Sequence, residues 1–146
     1  MKKLVAGILV AVLVLSSFSV IAFAEEYVTV VLNGQTLEFD VPAQIIDDRT
    51  MVPMRKIFES LGADVTWIEK NQVIIATKGS KIIAMAIDSD VMLVTDLETG
   101  VENRLTLDVT PMLVGDRTLV PLRVISESLG LNVEWNEAEQ TVYITE

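Results

Sequence analysis

The side chains best equipped for chemistry are two arginines, a glutamate and a tryptophan that recur as a set. Arg49, Arg55, Glu59 and Trp67 return as Arg117, Arg123, Glu127 and Trp135, each 68 residues later. Guanidinium and carboxylate groups fix each other in a planar fork, which suits a structural ion-pair network or a ligand site. Tryptophan rings can stack on sugars, and carboxylates alone suffice for glycoside hydrolysis. The spacing favours structure for the ions. Arg55 and Glu59, like Arg123 and Glu127, stand at i, i+4, where side chains on a helix meet. The arginines and acids are thus expected to fix a helix to the strand turn before it, at about 3–5 kcal/mol for a partner lost from a buried pair. Trp67 alternates with Val65, and Trp135 with Val133, so each pair shares one face of a strand. The core is their expected place, with a sugar platform as the alternative.

Those residues are positioned by a repeated frame. Asp48-Arg49-Thr50-Met51-Val52-Pro53-Met54-Arg55 matches Asp116-Arg117-Thr118-Leu119-Val120-Pro121-Leu122-Arg123 without a gap, and about half of the residues from Asp48 to Thr77 are identical to their partners. Self-similarity of that kind marks a duplicated unit. In each copy a short strand leads into Pro53 or Pro121, expected at the first helical position. Met54, Ile57, Phe58 and Leu61 form an apolar stripe at helical spacing. Gly62 or Gly130 supplies the left-handed cap, giving a helix of about nine residues. Two strands follow, Asp64–Ile68 and Val73–Thr77 in the first copy.

Ahead of the first copy, Asn33-Gly34 predicts a type I′ hairpin turn between strands 27–32 and 36–41. Ile82–Ile87, Val91–Thr95 and Arg104–Val109 read as further strands, with Asp96–Gly100 as a loop that enlarges one hairpin tip. The fold class is α+β: two tandem repeats of antiparallel strands, each packed around one short helix. The expected boundaries are a signal peptide at 1–24, a first repeat at 25–80 and a second at 81–146, the two packed as one compact unit. A repeat of about 60 residues is marginal alone.

Lys2-Lys3, an apolar run and Ala22-Phe23-Ala24 form the signal peptide, with cleavage expected before Glu25. Cleavage removes two lysines and leaves nine basic against 21 acidic residues, a formal charge of −12. That charge repels phosphate backbones, so nucleic acid is excluded, and no polybasic face attracts anionic lipid. The chain has no cysteine, so an exported protein must rest on its apolar core rather than on disulfides. Its methionines lie among Ile, Leu and Val and read as core filling. The acidic turns Asp47-Asp48, Asp88-Ser89-Asp90 and Asp96-Leu97-Glu98 lack the spacing of a calcium loop.

The Arg-Thr-x-Val-Pro-x-Arg stretch, followed by Glu-x-Leu-Gly and Val-x-Trp, resembles the copper amine oxidase N-terminal-like, or stalk, domain of secreted bacterial proteins. Asn33-Gly34, Asp40-Val41 and Asp108-Val109 also carry the resemblance. It implies an antiparallel sheet wrapped around a helix, an extracellular setting, often in Gram-positive bacteria, and an accessory domain whose relatives keep copper and quinone chemistry elsewhere. With no histidine in the chain, a three-histidine copper site cannot be built. No cofactor or copper is expected.

The function expected is therefore a non-catalytic secreted or cell-surface interaction module, with a cell-wall polymer or a surface protein as partner. A carbohydrate- or peptidoglycan-binding module using Trp67 and Trp135 is the alternative. A small carboxylate-dependent hydrolase is a third reading. Function is expected where the copies differ, as at Asp96–Gly100, rather than in the shared Arg-Thr-x-Val-Pro frame.

Overall fold

A computed structural model describes residues 27–146, and the expected signal peptide and its cleavage point lie outside these residues. The chain is mainly β, with two short helices and two sheets. Tyr27–Leu32 (β1) turns at Asn33-Gly34 into Gln35–Thr36 (β2). Both turn residues have positive φ, +47° and +83°, as a type I′ turn requires. The return strand is much shorter than the alternation of 36–41 predicts. After the Leu37 N–H bonds to Val30 at 2.8 Å, the chain leaves the edge of β1 and bends at Asp40 and Val41. Pro42, with no N–H to donate, cannot resume the ladder.

Ala43–Ile46 (β3) and Arg49–Pro53 (β4) form a hairpin that feeds Met54–Ser60 (α1). Pro53 is not the first helical residue. It remains the last residue of β4, with extended ψ of 124°, and serves as N-cap. The helix is accordingly seven residues long. Its apolar stripe holds, since Met54, Ile57 and Phe58 are buried. Gly62, at φ +79°, ends it in a Schellman motif: its N–H reaches Glu59 O at 3.0 Å and the Ala63 N–H reaches Phe58 O at 2.9 Å.

Asp64–Ile68 (β5), Val73–Lys78 (β6), Lys81–Ala86 (β7), Val91–Asp96 (β8) and Val101–Thr106 (β9) make a five-stranded antiparallel meander. Met112–Val114 (β10), Arg117–Pro121 (β11), Leu122–Ser128 (α2), Asn132–Asn136 (β12) and Thr141–Thr145 (β13) repeat the order of β3 to β6. The helix α2 ends at Gly130 as α1 does at Gly62, with Gly130 bonded to Glu127 and Leu131 to Ser126, each at 3.0 Å.

Strands do not segregate by half of the chain. The larger sheet runs β10-β11-β4-β3-β1-β13-β12, with β2 also on β1. It joins the halves twice, through the parallel pair β1–β13 and the antiparallel pair β4–β11. In the second pair Val52 stands opposite Val120, which is its own counterpart 68 residues on. Pro53 faces Leu119 and Met51 faces Pro121, so the joint has the same contacts read from either strand. The helices also cross it: α1 packs on β11 as well as β4 and β5, and α2 packs on β4 as well as β12. The larger of two core clusters joins both sheets, holding Val52, Val120, Ile57, Phe58 and Ile125 together with Ile74, Ile83 and Met92 of the meander, and Met51, Val109 and Leu119 form the smaller one.

Two grooves on the shared strand pair

The β4–β11 joint positions the arginines. Arg49 begins β4 and Arg117 begins β11, so the two stand at opposite ends of an antiparallel pair. Each reaches an aspartate in the other half of the chain. Arg49 Nε donates to Asp108 Oδ2 at 3.1 Å and Arg117 Nε donates to Asp40 Oδ2 at 2.8 Å. In both pairs Nη2 donates to the same oxygen, while Nη1 donates to the backbone carbonyl of the preceding aspartate. The chain bends that end β2 and β9 early bring these carboxylates to the joint. The expected pairing of Arg49 and Arg117 with the helical glutamates does not occur.

The helical pairs form as spaced. Arg55 donates to Glu59 at 3.5 Å and Arg123 to Glu127 at 3.2 Å. Arg123 also donates to Val133 O at 3.0 Å, tying α2 to β12 beside Trp135. All four arginines are about half exposed. The network is a surface feature, and the cost expected of a buried pair does not apply to it.

Arg117 beside Asp40 holds that carboxyl below its ordinary value of 3.8, assisted by the Val41 N–H, and Asp40 in turn raises Arg117. Lys81 on β7 and the Glu98 N–H hold Asp96 low in the same way. The Glu139 carboxylate, hydrogen-bonded to the Tyr143 hydroxyl, pushes that phenol up.

The tryptophans lie at the margin of the core rather than inside it. Trp67 faces Ile74 and Trp135 faces Val142 across their hairpins, so each ring shares a face with a buried residue. Each ring is only partly covered. Trp67 is half-buried, and Trp135 is 37% exposed. The rest of each ring lines a groove. One groove, of about 740 Å³, is bounded by Arg49, Asp108, Arg123, Glu127 and Trp135. The other, of about 640 Å³, is bounded by Arg117, Asp40, Arg55, Glu59 and Trp67. Each residue of the first set stands 68 positions from one in the second. Both grooves are composite, because each takes one arginine–aspartate partner from either half of the chain.

The structure thus brings together most of the recurring residues. Pro53, Pro121, Gly62 and Gly130 shape the elements, and the two prolines also border the grooves. Sequence reasoning did not single out Asp40 and Asp108 as site residues. Their signal was recurrence, Asp-Val before each Arg-Thr. Among the described residues, no group of three or more histidines, cysteines, aspartates or glutamates is placed to hold a metal ion.

Fold and grooves together define a mainly β domain with a duplicated surface feature. The chain belongs to the family described as the copper amine oxidase N-terminal domain, whose model matches residues 31–144. A comparison with curated proteins gave no match. In copper amine oxidases that N-terminal domain is non-catalytic.

Proposed function

We propose that the protein is a non-catalytic, secreted or cell-surface module of the stalk type, built from two tandem units and used to hold a cell-wall polymer or a surface protein. The observation that carries this reading is the pair of matching open grooves, each assembled across the β4–β11 joint. A scaffold whose two halves share a sheet and a core is stiff, and it presents both grooves at fixed separation. Family membership supports an accessory role. The composition of the first 24 residues supports export.

A glycan is the ligand favoured by the partial exposure of Trp135. Asp40 is held low by Arg117, which speaks against it as the general acid of a hydrolase.

The test is co-sedimentation of the secreted protein with purified cell wall. The wild type pellets with the wall, and the Trp67→Ala/Trp135→Ala double variant stays in solution while keeping its thermal transition. A protein that never pellets with wall and captures no surface protein overturns the reading. The mass of the secreted chain is expected to begin near Glu25.

A further inference from the structure

We infer that the two grooves are twin sites for neutral glycan, and that the protein bridges two glycan chains. The inference rests on the interaction-module reading and names the ligand class and valency of those grooves.

The ligand class follows from charge and surface. Each groove is lined by one partly exposed indole, a side chain whose apolar surface suits stacking by a pyranose ring. Beside it lie a fixed guanidinium and carboxylate. The positive charge of Arg49 or Arg117 is already paired with Asp108 or Asp40, so it offers a ligand anion little net attraction. Acidic side chains also outnumber basic ones in both grooves, four to two in the first and four to three in the second. The whole chain carries −10. A polyanion is therefore repelled, whereas a hydroxyl can donate to the carboxylate and accept from N–H groups left on the five-donor guanidinium.

The valency follows from the joint. Val52 facing Val120 places a local two-fold between β4 and β11 and relates one groove to the other. A glycan chain has a direction. A two-fold either reverses that direction or carries the second site to the opposite side of its axis. One straight chain cannot occupy both grooves in the same way, so the second groove takes another chain.

The test uses the full described chain and soluble neutral glycans: chitotetraose, cellotetraose and mannotetraose for stoichiometry, and the matching long soluble polymer for cross-linking by turbidity. Polyphosphate serves as the anionic probe. The wild type is expected to bind two tetrasaccharides and to cross-link the polymer. Trp67→Ala and Trp135→Ala are each expected to bind one tetrasaccharide and to lose cross-linking, and the double variant to bind none. Trp135→Phe, which keeps an apolar ring, is expected to retain two sites, which separates stacking from folding. Cross-linking that survives a single variant, one site in the wild type, preference for polyphosphate, or no binding to any of the three glycans overturns the inference. Binding to purified wall or to a surface protein that ignores both tryptophans overturns it while leaving the interaction-module reading intact. Absence of both kinds of binding overturns that reading as well.

Discussion

Arg49 and Arg117 are the residues whose partners decide what the recurring motif does. Each is held by a carboxylate about half or more exposed, so water competes for both groups and the pairs steer geometry more than they stabilise the fold. Arg49→Ala is expected to leave the thermal midpoint close to that of the wild type. Leu119→Ala, at a fully buried position on the neighbouring strand β11, is expected to cost about 2–5 kcal/mol in urea unfolding. A loss from Arg49→Ala as large as that from Leu119→Ala would contradict the surface assignment. Acid sensitivity belongs at this scale too. Asp40 and Asp96 have folded pKa values below the ordinary 3.8, so their contribution is present above that value and is lost as pH falls through the lower folded value. Stability is expected to drop below about pH 4, and Asp40→Asn to flatten part of that limb. Unfolding curves from pH 2 to 7 check the sign. The i, i+4 pairs were legible in the sequence because helix geometry fixes them. The Arg49–Asp108 pair was not, since its partners are 59 residues apart and only the joint brings them together.

At the scale of elements, local rules carried far and then met the topology. The Asn33-Gly34 turn, the two helices and their glycine ends follow from turn chemistry and the spacing of Met54, Ile57 and Phe58. Pro53 was misplaced by one position because the strand pair with β11 extends to it and holds its ψ extended. The 36–41 and 104–109 segments alternate like strands, yet both leave the sheet early to deliver Asp40 and Asp108. Alternation identifies a face, and it cannot say where pairing stops. Gly130 tests the helix ends. An added Cβ would meet nothing within 4 Å, so Gly130→Ala is opposed only by the φ of +85°. Its expected cost is about 1–2 kcal/mol, the penalty of a left-handed L-residue, measured by chemical denaturation. A cost near zero would contradict the Schellman end.

For the whole molecule, the sequence repeat predicted two tandem units but did not predict that strands of both halves share one sheet. The alternating Val65–Trp67 and Val133–Trp135 pairs told which face each ring takes. They could not tell that each ring is only partly covered. That difference moves the candidate site from the divergent Asp96–Gly100 loop to the shared motif. The loop tip remains a rival, since Leu97 there is 63% exposed. Hydrogen–deuterium exchange on the wall-bound protein separates the two most directly. The account predicts slowed exchange at residues 48–50, 106–109 and 133–137 and at their counterparts 38–41, 65–69 and 116–118. Slowed exchange confined to residues 96–101, with both groove sets unchanged, would contradict it.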